Sequence, residues 1–108
     1  MSGILDELYE VAMDRKENPE EGSYTCYLFE QGLDKILKKC GEETAEVIIA
    51  AKNGTKVELI GEIGDVVYHL VVLMVEAGVQ LEELYALLEE RRQKIGNLKP
   101  TTVSVKES

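Results

Sequence analysis

Two acidic doublets stand in mirror positions about one turn, Glu43 and Glu46 before Asn53-Gly54, Glu62 and Asp65 after it. Residues three apart share a helix face, so each doublet is a pincer if its segment is helical. If the chain folds back at Gly54 as an αα-hairpin, Glu43 lies level with Asp65, and Glu46 with Glu62. At a rise of about 1.5 Å per residue, both rungs sit roughly 12–17 Å from the bend, one helical turn apart. Four carboxylates then converge on one small volume and repel one another. Glu42 with Glu46, and Glu58 with Glu62, add repulsion within each helix, and only Lys39 offers a local helical counter-charge. Such a cluster makes sense when a divalent cation occupies it. Oxygen donors with no His or Cys at matching positions favour a hard ion, Mg²⁺ or Mn²⁺, over zinc. The plainer reading is a solvated helix face, as isolated acidic pairs usually are; the mirrored spacing is what argues for a site.

The rest of the chain reads as helix around that hairpin. Ile4, Leu5, Leu8, Val11 and Ala12 recur at helical spacing and predict a first helix to about Lys16, stopped by Asn18-Pro19. Ser23 to Tyr27 is expected to be a hydroxyl-rich loop that either meets a ligand or packs over the bundle end. A second helix is predicted from about Leu28 to Lys52, its stripe carrying Leu33, Ile36, Leu37, Cys40, Thr44, Val47, Ile48 and Ala51. Glu43 lies at the margin of this stripe, and Ala45 and Ile49 add apolar surface beyond what a small monomer needs. Asn53-Gly54 is expected to cap the helix in the left-handed conformation. Thr55 with Glu58 then forms a capping box for a third helix, from about Lys56 to Ala77.

That third helix is apolar on nearly every side and is expected to be buried on most of them. Its narrow polar wedge holds Glu58, Glu62, Asp65, His69 and Glu76. His69 is read as a supporting or surface histidine rather than a direct metal ligand. A fourth helix follows Gly78 and ends near Arg91-Arg92. The pattern predicts an all-α, four-helix bundle-like protomer built on a central antiparallel hairpin and completed by dimerisation. Residues 1–94 form its single domain, and 95–108 an irregular tail.

Composition narrows the function. The chain has 108 residues, 31% of them charged, and a formal net charge of −9. Such a surface has no nonspecific grip on nucleic acid, and a protein like this that handles polyphosphate needs metal ions to screen repulsion. Cys26 and Cys40 form no CxxC and have no spaced His partners, so neither zinc nor redox chemistry is expected. No basic start, signal segment or membrane-length apolar run is present, and a cytoplasmic location is expected.

Several stretches together resemble a known family. They are Asp14-Arg15-Lys16, Gly22-Ser23-Tyr24-Thr25, Gly32-Leu33-Asp34-Lys35-Ile36, Lys39-Cys40-Gly41-Glu42-Glu43 with Glu46, Ala50-Ala51-Lys52-Asn53-Gly54, and Glu62-Ile63-Gly64-Asp65 with Tyr68-His69-Leu70. This set is similar to the phosphoribosyl-ATP pyrophosphatase family of histidine biosynthesis, over roughly residues 5 to 92. The doublets mark the wider all-α nucleoside triphosphate pyrophosphohydrolase superfamily, and the Gly-Ser-Tyr-Thr and Lys-Cys-Gly-Glu-Glu segments point to this branch. Cys40 stands where the family usually has an apolar residue. The resemblance implies Mg²⁺-dependent hydrolysis of phosphoribosyl-ATP to phosphoribosyl-AMP and pyrophosphate by a helical homodimer or higher homo-oligomer, in the form not fused to a second enzyme. It also implies metal ligation by Glu43, Glu46, Glu62 and Asp65. Glu42 and Glu43 are the catalytic candidates, Glu42 either for orienting or deprotonating the water or, equally, as a group that supports the metal ligands from outside. Arg15 and Lys39 are favoured for phosphate contact, with Ser23, Tyr24, Thr25 and Asn53 as further substrate-binding candidates. Two rivals stand beside this reading: a house-cleaning pyrophosphohydrolase acting on dUTP or damaged triphosphates, and a noncatalytic helical dimerisation module.

Overall fold

The computed structural model describes residues 3–95, all of its regular structure helical: α1 (Ile4–Glu17), α2 (Tyr24–Gln31), α3 (Leu33–Asn53), α4 (Lys56–Ala77) and α5 (Leu81–Ile95). The all-α bundle stands, with five helices in place of four. The expected irregular tail from residue 95 lies, beyond Ile95, outside the described residues.

The extra helix has two local causes. Ser23 is an N-cap, its hydroxyl accepting the Cys26 N–H at 3.1 Å, so the supposed loop from Ser23 to Tyr27 is the first turn of α2. Gly32 then breaks what was predicted to be one continuous helix from Leu28. Its φ of 94° with ψ of −175° is open essentially to glycine alone. The Gly32 N–H still bonds to Leu28 O at 3.0 Å and its carbonyl accepts the Ile36 N–H at 3.1 Å, so α2 and α3 share one corner residue.

At the hairpin bend, the capping box forms. Thr55 Oγ1 accepts the Glu58 N–H at 3.2 Å and Glu58 Oε1 accepts the Thr55 N–H at 2.8 Å. Gly54 is extended (φ −99°, ψ −175°), not left-handed as expected. It is needed for room instead: a Cβ there would lie 2.6 Å from Glu58 Oε1 and 3.0 Å from the Ala50 carbonyl oxygen. Gly78 is the left-handed C-cap of α4, at φ 79° and ψ 22°.

The core sits at one end of the hairpin. Tyr9 and Ala12 of α1, Val71 and Val75 of α4 and Leu81 of α5 bury one another, and Tyr9 Oη donates to Val79 O at 2.8 Å. Beside them Leu28, Ile36 and Val72 are fully buried where α2, α3 and α4 meet. All of these α4 residues lie in its C-terminal half. Nearer the bend, Val57 is 78% exposed and Ile60 60%, and Ile48, Ile49 and Ile63 are open as well. The expectation that α4 is buried on most sides therefore holds only for its second half within one chain. Much of the α3 stripe, Leu33, Leu37, Thr44, Ile48 and Ala51, is exposed too. A radius of gyration of 16.3 Å against about 13 Å for a compact domain of this size is that of an extended fold.

Candidate active site

The hairpin determines which carboxylates meet. α3 and α4 run antiparallel from Gly54, and at the level of Glu43 they bring together carboxylate oxygens of Glu43, Glu62 and Asp65, all within 4.8 Å of one another. Glu43 and Glu62 are half-buried and Asp65 is exposed. Glu46 does not join this triad. It lies toward the bend, lining a small cavity of about 270 Å³ with Asn53, Glu58 and Glu62. Burial holds the Glu62 carboxyl above its ordinary range, and Asp65, Glu46, Glu43 and Glu58 push it further the same way. Four neighbouring carboxylates thus act on Glu62 in the same direction as its burial.

Lys39 is the cation beside it. One turn before Glu43, its Nζ lies 3.4 Å from Glu43 Oε2 and 3.4 Å from Glu42 Oε1. Burial alone would lower the Lys39 pKa, but Tyr24, Glu43 and Glu42 outweigh it and the ammonium is held more firmly. Glu42 stays outside the triad, exposed and paired with Lys38 at 4.0 Å as well as Lys39.

The remaining candidates lie around α2. Arg15 ends α1 with its guanidinium on Asp14 at 3.1 Å and Glu20 at 3.6 Å. With Lys16, Ser23 and Tyr24 it lines a concavity of about 840 Å³ between α1 and α2. Ser23 is committed as the α2 cap. Tyr24 Oη pairs with His69 Nε2 at 3.0 Å, and the Thr25 hydroxyl is hydrogen-bonded to that of Tyr68. Asn53 lies apart from these, at the bend.

His69 is neither a ligand of the triad nor a surface group: it is 5% exposed, with Nδ1 2.7 Å from the Asp65 carbonyl oxygen. Sequence reasoning missed the Thr25–Tyr68 pair altogether. The signal for it was Ser23 at an N-cap position, which puts Tyr24 and Thr25 in a first helical turn. No described helix is long and apolar enough to cross a membrane.

Helices that gather acid groups along a central hairpin, with relatives that are hydrolases, define an all-α hydrolase. More narrowly, the chain belongs to the phosphoribosyl-ATP pyrophosphohydrolase family, whose sequence pattern matches residues 5–92. It is 62% identical over 97 residues to the phosphoribosyl-ATP pyrophosphatase of Clostridium novyi, covering 90% of this chain and 88% of that one. Likeness to the Streptococcus thermophilus protein of the same name is 56% over 95 residues, 88% of this chain and 91% of the relative. It is also 65% identical over 82 residues to the histidine biosynthesis bifunctional protein HisIE of Thermoanaerobacter pseudethanolicus, a match to 76% of this chain and 38% of that longer one.

Proposed function

We propose that this chain hydrolyses phosphoribosyl-ATP to phosphoribosyl-AMP and pyrophosphate in histidine biosynthesis, with Mg²⁺, in the cytoplasm and as a homodimer or higher homo-oligomer. The observation that carries the reading is the convergence of Glu43, Glu62 and Asp65 from two antiparallel helices, within a family whose curated relatives bear that enzyme's name. The donor set fits a hard divalent cation, being all carboxylate oxygen, with its members pushing one another's charge up in energy at Glu62. Glu43, Glu62 and Asp65 would hold it, with Glu46 on the bend side. Bound there, the ion would neutralise polyphosphate charge and lower the barrier to attack by water.

The chain's own residues supply the rest. Hydrolysis adds water across the phosphoanhydride between the α- and β-phosphates: one new P–O bond forms, the bridging P–O bond breaks, and pyrophosphate leaves with the electron pair. A base must take the water's proton. Glu42 is the candidate, because Lys39 ties its carboxylate to that of Glu43 at the edge of the triad. Lys39 also offers positive charge to the phosphates. Arg15, Ser23, Tyr24 and Thr25 form the substrate side, and Asn53 flanks the bend.

Turnover of phosphoribosyl-ATP with Mg²⁺, compared with dUTP and a panel of ordinary and damaged triphosphates, tests the assignment. Phosphoribosyl-ATP should be strongly preferred and chelation should abolish activity. Equal turnover of the panel would favour a house-cleaning enzyme, and the absence of Mg²⁺ binding by calorimetry would remove the metal site.

A further inference from the structure

We propose that Tyr24 and His69 form a latch that fixes the first turn of α2 against the acid-bearing face of α4, making His69 a positioning residue for substrate binding. The proposal rests on the functional reading above for its kinetic consequence, but not for its structural one.

The geometry begins at Asp65. Its backbone carbonyl can only accept, so the His69 Nδ1 at 2.7 Å must carry the proton. With the proton on Nδ1, the latch takes Nε2 as its acceptor, the Tyr24 hydroxyl at 3.0 Å donating to it. The phenolic proton is thereby committed, and the oxygen keeps its lone pairs for a donor on its other side. Lys39 and Glu43 are both within electrostatic reach of Tyr24.

A second rung lies directly beside the first. Thr25 and Tyr68 join hydroxyl to hydroxyl, so consecutive residues of α2 engage consecutive residues of α4. Tyr68 and His69 are three and four residues beyond Asp65, on the same helix face one turn along. The rings lock edge to face: Tyr24 on His69 at 5.7 Å and 79°, Tyr68 on His69 at 5.0 Å and 82°.

Apolar packing explains why α2 is attached, yet not how it is turned. Leu28, fully buried against Ile36 and Val72, anchors the helix one turn after Tyr24. Such contacts are non-directional, whereas hydrogen bonds weaken steeply away from their preferred angles. The rungs therefore set the direction of the turn carrying Ser23, Tyr24 and Thr25. Tyr24 is 44% exposed, so water could satisfy its hydroxyl without His69. The bond to His69 trades that freedom for a fixed direction.

His69 is the sole histidine of the chain, so its ring resonances need no assignment by elimination. Nitrogen-detected NMR of the intact protein should show the Nδ1–H tautomer, with the Nε2 signal shifted in Tyr24→Phe; an Nε2–H tautomer overturns the latch. In steady-state kinetics with phosphoribosyl-ATP, Tyr24→Phe and His69→Asn should each raise KM about five- to tenfold, as for one lost hydrogen bond, with kcat nearly unchanged. The double variant should be no worse than either single. His69→Gln, whose amide oxygen reaches toward the Nε2 position, should restore KM. Unchanged KM, multiplying effects, failed rescue by Gln, or a loss confined to kcat each overturn the proposal. A rise in KM in Tyr24→Phe alone, with His69→Asn unaffected, also overturns the latch, since Tyr24 then acts without His69. Should His69→Asn not fold, Tyr24→Phe and His69→Gln carry the test. A wild-type protein inactive on phosphoribosyl-ATP defeats the functional reading, and the NMR arm still decides the latch.

Discussion

Glu62 shows how a single side chain links the site to the fold. Its raised pKa, caused first by burial and then by four neighbouring carboxylates, means that the folded chain holds this proton more tightly than the unfolded one. That contribution to stability is complete below the ordinary value of 4.5 and is lost as pH rises through the higher folded value. Thermal melts in chelator should therefore show falling stability across this window, and Glu62→Gln should flatten the slope. Saturating Mg²⁺ should raise the wild-type melting temperature and leave Glu62→Gln or Asp65→Asn almost unmoved, both variants remaining helical but inactive. The meeting of Glu43, Glu62 and Asp65 was legible because equal distances from a bend leave helices little choice about which residues face each other. Glu46 was placed level with Glu62 by the same arithmetic, yet it stands aside from the triad. A level is not a direction, and side-chain direction depends on helix rotation, which spacing alone does not give.

Among the elements, the hairpin was readable and the corner at Gly32 was not. The capping box of Thr55 and Glu58 announces itself by residue type and spacing. Gly32, by contrast, sits within a run whose apolar periodicity continues across it, and one glycine in a helical pattern reads only as a weak point. Two glycines give opposite tests. Gly32→Ala has open space around the new methyl, yet the positive φ should cost about 1–3 kcal/mol in chemical denaturation. Gly54→Ala has an ordinary φ but no room, with its methyl against the Glu58 carboxylate and the Ala50 backbone. Overpacking and the displaced cap should together cost about 1–3 kcal/mol, and of the two variants this one should weaken Mg²⁺ binding, since it shifts the bend that sets the register of α3 against α4.

At the scale of the molecule, the uncovered apolar surface is the feature to explain. Ile48, Ile49, Val57, Ile60 and Ile63 lie open on the projecting half of the hairpin. Such a surface fits the homo-oligomer proposed above, because a second copy presents the same unpartnered helices. Sedimentation should give at least twice the monomer mass, and Ile60→Glu should shift it toward the monomer while preserving helix content. The excess of apolar residues on α3 and α4 was visible in the sequence. Which half of each helix lacked cover was not, because that depends on where α1, α2 and α5 fold back.

One rod, α4, carries both ends of this arrangement. Its C-terminal half is gripped by Tyr9, Ala12, Leu28 and Leu81, while its N-terminal half holds Glu62 and Asp65, joined to that grip through His69 on the Asp65 carbonyl. Handle and working edge thus share a shaft, with one joint between them. The Glu62 and Asp65 side chains take no part in the handle's apolar contacts, so the chemistry can be retuned there, by selection or by design, without emptying the core.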